Sequence, residues 1–87
     1  MKRKESFIVR MVADRYVFMP YGETAGKFSG LIIATETAAF IWEHIDAVQS
    51  AEEMADLVCA EFEVTREEAL SDVQELFDNF QKAGWIE

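Results

Sequence analysis

The sequence predicts a small α+β protein in which three short β-strands precede three α-helices, in the order β-β-β-α-α-α. Glycine and proline cluster early, at Pro20, Gly22, Gly26 and Gly30, and then neither occurs again until Gly84. Apolar and β-branched runs of strand length occupy the early part, whereas apolar residues with helical spacing occupy the later part. These observations separate a strand-and-turn half from a helical half.

The first half predicts a β-hairpin followed by a third strand. Residues 7–12 and 16–19 are rich in β-branched and aromatic side chains, and the polar break at residues 13–15 lies between them. Residues 20–29 are expected to form a loop. The run 31–34 is apolar on both faces, which indicates a strand that is covered on two sides or that lacks a partner along one edge.

The second half predicts three helices from its capping residues and apolar periodicity. Thr35 is the expected N-cap of the first helix, and Ser50 and Thr65 each precede a glutamate by three residues, as in a capping box. Gly84 follows the third apolar stripe and is expected at the C′ position, with Trp85 folded back onto the last turn. Together the helices and the small sheet predict a two-layer core.

Charge is distributed unevenly along the chain. The net charge is −9, because residues 1–34 carry six basic and three acidic side chains, whereas residues 35–87 carry two basic and fourteen acidic ones. The acidic half disfavours nucleic acid, which is bound by clustered Lys and Arg. With 51% hydrophobic residues and no apolar run of about 20, we expect one folded domain spanning residues 1–87, cytoplasmic and not bound to a membrane.

Residues with catalytic or metal-binding chemistry are few. Cys59 and His44 are the only cysteine and the only histidine, so we predict no disulfide, no metal and no cofactor. Cys59 is expected to be a small, buried apolar residue and His44 to lie at the surface or its boundary. The glycines of residues 22–30 do not match a phosphate-binding loop. We therefore predict no catalytic residue and no enzymatic activity.

Several segments, taken in order, resemble a known family. The run GLIIATETAAFIW at residues 30–42 is similar to the strand-to-helix segment of PqqD-like proteins, the precursor-peptide recognition elements of ribosomally made, post-translationally modified peptides. The chain departs from that family at Ala34-Thr35, where Leu-Asn is usual. Thr caps a helix nearly as well as Asn, so the helix start is expected to survive. Further similar segments lie at residues 50–55, 62–69, 72–73 and 84–86.

The resemblance implies a winged-helix-like, non-catalytic domain that binds the leader segment of a precursor peptide. The leader would add as a strand beside the third strand and against the third helix. The domain would then present it to a modifying enzyme, often a radical S-adenosylmethionine enzyme. On this basis the expected peptide-binding residues are Leu31, Ile32, Ile33, Ala34, Leu70, Val73, Gln74 and Phe77, with rim charges at Asp72 and Glu75.

Two other functions remain open at this point. A winged-helix DNA-binding regulator shares the fold class, but its recognition helix should be basic. The third helix instead carries Arg66 and Lys82 among five acidic residues. A general protein-interaction or dimerisation module would show a self-complementary apolar patch. We expect a monomer or a weak dimer.

Overall fold

Three antiparallel strands precede three α-helices, which confirms the predicted order. The computed structural model describes residues 1–28 and 32–87. Two short 3₁₀ helices, Gly22–Gly26 and Ile45–Ala47, lie in the connections. The strands and α-helices are β1 (Phe7–Val12), β2 (Arg15–Pro20), β3 (Ile32–Ala34), α1 (Glu36–His44), α2 (Ala51–Glu61) and α3 (Arg66–Lys82).

The β1–β2 hairpin turns through two residues. Val12 lies opposite Arg15, so only Ala13 and Asp14 remain in the turn. Their φ angles are +49° and +65°. Positive φ at both central positions is required by a type I′ turn, whose twist matches that of the paired strands. Asp14 tolerates a positive φ, whereas Ala13 does so only at a cost, so the hairpin forms although its first turn residue is unfavourable.

The sheet has the strand order β1-β2-β3 and two distinct faces. Phe18 pairs with Ile32, and both side chains lie on the inner face against the helices. Ile33 pairs with Val17 on the outer face, where the Ile33 side chain is 63% exposed. Within the described residues no strand pairs with the far edge of β3.

The segment before β3 is more ordered than a simple loop, which corrects the prediction for residues 20–28. The 3₁₀ helix Gly22–Gly26 buries Thr24, whose hydroxyl accepts from the Ser6 N–H at 2.7 Å and donates to Glu5 at 2.9 Å. The Lys27 ammonium lies 3.0 Å from the same carboxylate. Hydrogen bonds from Lys27 and then Thr24 hold the pKa of Glu5 below its ordinary value of 4.5.

The predicted N-caps of all three α-helices are confirmed. The hydroxyls of Thr35, Ser50 and Thr65 each accept from the backbone N–H three residues later, at 3.0, 3.2 and 3.1 Å. In a capping box the glutamate side chain accepts from the backbone N–H of the N-cap residue, which in α2 is Ser50. The bond found in α2 is different. The Glu53 carboxylate accepts from the Gln49 N–H at 3.4 Å, one residue before the cap.

The end of α3 turns back onto the core. Gly84 has φ +80°, and the Trp85 N–H donates to the Phe80 carbonyl at 2.8 Å, which is the six-to-one bond of a Schellman motif. The Trp85 and Phe80 rings stack with centroids 5.7 Å apart. The predicted C′ glycine and the fold-back of Trp85 are therefore confirmed.

The core lies between the inner face of the sheet and the helices. Its fully buried side chains include Ile41 and Trp42 of α1, Met54 of α2 and Val73 of α3. Rings from the sheet and the chain end pack edge to face around Trp42. None of the helices in the two described ranges is long and apolar enough to cross a bilayer.

Candidate functional site

An apolar pocket lies between β3 and the C-terminal half of α3. Its volume is about 340 Å³. Because Ile32 and Ala34 share the inner face of β3, their side chains form the strand wall of the pocket. The helix wall and the floor come from Leu76, Phe80, Ala83, Phe18 and Trp85.

An acidic pocket continues from the apolar one toward the start of α1. Its volume is about 310 Å³, and it is lined by Thr35 and Thr37 on one side and by Asp72 and Glu75 on the other. Both pockets share Thr35, Leu76 and Asn79. The two pockets are therefore adjacent, and we call them together the groove.

The carboxylates of the acidic pocket are not neutralised by nearby cations. Asp72 and Glu75 are both exposed, and neither forms an ion pair within residues 1–28 and 32–87. The ion pairs found there join Arg3 to Asp46, Lys27 to Glu5 and Arg66 to Asp56. One end of the groove thus carries two free negative charges, which favour a cationic group beside them.

The mouth of the groove is bordered by the edge of β3. Backbone N–H and C=O groups alternate between the two sides of a strand, and β2 satisfies only one side of β3. The groups on the other side have no strand partner within the described residues. An edge of this kind is a template for pairing with another extended chain.

The structure places the predicted strand residues at this edge in different ways. Ile32 and Ala34 line the apolar pocket with inward side chains. Ile33 borders the same pocket, but its side chain lies on the outer face of the sheet. Leu31 lies outside the described residues.

The predicted residues on α3 lie away from the groove. Val73 is 0% exposed and Phe77 is 7% exposed, so both belong to the core. Leu70 is half-buried against the same core, and Gln74 is exposed. None of these four side chains lines either pocket of the groove.

Helix geometry explains the difference. Successive residues of an α-helix are rotated by about 100°, so Val73 and Phe77 lie about 60° and 100° around α3 from Leu76, toward the core. The side that faces β3 carries Asp72, Leu76 and Asn79, at i, i+4 and i+7. Asp72 and Glu75, which the sequence predicted as rim charges, do line the groove. The sequence analysis did not name the other α3 residues of the groove wall, which are Leu76, Asn79, Phe80 and Ala83. Their recurrence with Asp72 at intervals of three or four residues could have shown that they share one side of the helix.

The remaining hollows and polar groups offer less chemistry. A wider cleft of about 630 Å³ surrounds the connection from α2 to α3 and includes Cys59 and Glu68, but no strand edge borders it. Cys59 is only half-buried, and His44 Nδ1 lies 2.9 Å from the Phe40 carbonyl oxygen. No group of three metal-ligating side chains occurs in the part of the chain that the structure describes.

Comparison with known proteins identifies a family and a fold. The family model described as Coenzyme PQQ synthesis protein D (PqqD) matches residues 22–86. The chain belongs to the PqqD family. The matched region of this PqqD-family protein includes both walls of the groove, β3 and α3. No curated protein matches its sequence significantly.

A solved structure shares the fold of this PqqD-family protein. TbiB1, in complex with the TbiA(beta) leader peptide, superimposes with a TM-score of 0.68 at 18% sequence identity. The match covers 100% of this chain and 95% of that chain. The family resemblance and the predicted fold are thereby confirmed.

Proposed function

We propose that this protein binds the leader segment of a ribosomally made precursor peptide as an added strand along β3. The observation that carries the proposal is the outer edge of β3, which has no strand partner among residues 1–28 and 32–87 and lies beside an apolar pocket. Main-chain hydrogen bonds at such an edge supply affinity, and pockets for alternate side chains supply specificity. Membership of the PqqD family and the leader peptide bound to TbiB1 support the same function.

The contacts that we propose combine part of the predicted set with the groove wall. Ile32 and Ala34 would contact the peptide with their side chains, and Ile33 would contact it through its backbone. Leu31 stays a predicted contact. Leu70, Val73, Gln74 and Phe77 would act indirectly, because they lie behind or beside the wall. On α3 the proposed direct contacts are Asp72, Glu75, Leu76, Asn79, Phe80 and Ala83.

The protein would hold the leader for a separate modifying enzyme and perform no catalysis itself. A radical S-adenosylmethionine enzyme is the partner class that we propose, in the cytoplasm. We propose that the protein needs no cofactor and binds neither nucleic acid nor a membrane. We also propose that it is a monomer or a weak dimer.

The test uses calorimetric titration with synthetic leader segments, taken from short precursor peptides encoded near the gene for this protein if such peptides are found there. Ile33→Pro and Ile32→Pro each remove one backbone N–H, and only one of these N–H groups points toward the free edge. Ile33→Ala and Ile32→Ala are the matched controls, because they shorten the side chain but keep the N–H. We expect one proline variant to lose at least tenfold in affinity relative to its alanine control.

The affinities are compared only for proline variants that keep the helical circular dichroism of the parent protein. Equal binding by both folded proline variants and their alanine controls would contradict strand addition. A duplex DNA oligonucleotide serves as the second ligand. If it bound as tightly as the leader, the DNA-binding alternative would replace the proposal, although the acidic exposed side of α3 opposes that result.

A further inference from the structure

We propose that the groove recognises a two-part motif: a Lys or Arg placed two residues before a large apolar side chain. This inference rests on the proposed function and specifies its ligand. The apolar side chain would enter the pocket floored by Phe18 and Trp85. The cation would lie between Asp72 and Glu75 in the adjoining acidic pocket.

Charge complementarity identifies the first part of the motif. Asp72 and Glu75 lie on the same wall of the acidic pocket and have no ion-pair partner in the described ranges. The net charge of −9 adds a long-range attraction for cations. An acidic side chain at this position would be repelled, so the pocket selects by repulsion as well as attraction.

The spacing follows from the rise of a helix and of a strand. Along α3, Asp72 precedes Leu76 by four residues and Glu75 precedes Phe80 by five, which is about 6–8 Å of helix. Two residues of an extended peptide cover about 6.6 Å and point to the same side. Side chains at positions i and i+2 of the peptide therefore match the two pockets.

The direction follows from the order of the pockets along β3. The acidic pocket lies at the C-terminal end of β3, where Thr35 begins the next helix, and the apolar pocket extends toward Ala83 and Trp85. Every pairing in this sheet is antiparallel, and antiparallel pairing is the more stable type per residue. A peptide added in that direction places its N-terminal part at the acidic pocket, so the cation comes first.

Selection from a displayed library of randomised 12-residue peptides tests this inference on the full chain. We expect enriched peptides to carry Lys or Arg two residues before Phe, Leu, Ile, Met, Tyr or Trp. Enrichment of apolar residues without a basic residue at that spacing would overturn the motif but leave strand addition standing. A selection that enriches no peptide would overturn both the motif and the proposed function.

A matched pair of variants then identifies the carboxylates responsible. Asp72→Asn with Glu75→Gln removes two charges from the groove, and Glu67→Gln with Asp78→Asn removes two exposed charges from the other side of α3. At low salt we expect the groove variant to bind an enriched peptide about three- to tenfold more weakly, and the control to bind it nearly normally.

The difference between the two variants should shrink as salt rises, because exposed charges are then screened. Equal losses in both variants would show a general charge effect and overturn the assignment to the groove. A synthetic peptide with the basic and apolar residues exchanged should also bind more weakly. Undiminished binding of that peptide would overturn the proposed direction.

Discussion

α3 carries two apolar surfaces that meet different surroundings. Val73 and Phe77 pack into the core, where α2 and α3 meet. Leu76 lies on the adjacent side, between Asp72 and Asn79, and lines an open groove. We call these the core side and the groove side of α3. The core side is closed by the protein itself, whereas the groove side leaves apolar surface and free carboxylates available to a partner.

This comparison shows that apolar character alone does not identify a binding surface on a helix with two neighbours. The core side is the more apolar of the two, yet it is buried. The groove side mixes Leu76 with acidic and amide side chains, a composition that suits partial exposure. A peptide-binding wall needs both properties, because apolar contacts supply affinity and polar groups at the rim supply selectivity.

The largest effect is expected for Phe77→Ala on the core side. Truncating a nearly buried phenylalanine costs about 3–5 kcal/mol, because it removes apolar contacts and leaves a cavity. Urea unfolding followed by circular dichroism measures this loss. An unfolding free energy within about 0.5 kcal/mol of the parent, the range of typical surface substitutions, would show that Phe77 is not part of the core.

Val73→Ala provides a milder test of the same side. Removing two buried methyl groups should lower the free energy of unfolding by about 2 kcal/mol. Peptide affinity, measured by calorimetry where the variant is fully folded, should stay within about twofold of the parent. A large affinity loss with unchanged stability would reverse the roles of the two sides.

Leu76→Ala tests the groove side, where we expect a small loss of stability and a large loss of peptide affinity. Leu76 is half-buried, so we expect a smaller stability loss, of about 1–2 kcal/mol. Peptide affinity should fall about tenfold, because the substitution removes a shared wall of both pockets. The comparison with Val73→Ala fails if Leu76→Ala leaves the affinity of the folded protein unchanged.

The hairpin turn provides a stabilising change remote from both sides of α3. Ala13→Asn with Asp14→Gly supplies residues that tolerate the observed positive φ angles. We expect a gain of about 1 kcal/mol in unfolding free energy, with unchanged peptide affinity. A loss of stability on thermal or urea unfolding would contradict the turn geometry.

The smallest effect concerns pH. The lowered pKa of Glu5 means that its ionised form is favoured in the folded state, through hydrogen bonds from Lys27 and Thr24. Its stabilising contribution is present above pH 4.5 and is lost as pH falls through the lowered pKa. Glu5→Gln should therefore show a shallower loss of stability on acidification, measured by urea unfolding at several pH values. If Glu5→Gln and the parent protein lost stability identically on acidification, Glu5 would not contribute to the pH dependence of stability.

The sequence predicted the elements well because their signals are local. The caps at Thr35, Ser50 and Thr65, the C′ glycine and the hairpin each depend on residues close together in the chain. The burial of Thr24 depends on hydrogen bonds to residues eighteen and nineteen positions away, so the 3₁₀ helix was not predicted. The side of α3 that faces β3 was also not predicted correctly from local signals, because packing across the whole domain sets the orientation of the helix.

Intermolecular nuclear Overhauser effects test the central claim most directly. The measurement uses isotope-labelled protein bound to an unlabelled leader peptide, and it follows the methyl groups of Leu76 and Ala83 on the groove side and of Leu70 and Val73 on the core side. We expect the peptide to show effects to Leu76 and Ala83 and none to Val73. Effects to Leu70 and Val73 without any to Leu76 would contradict the assignment of the groove.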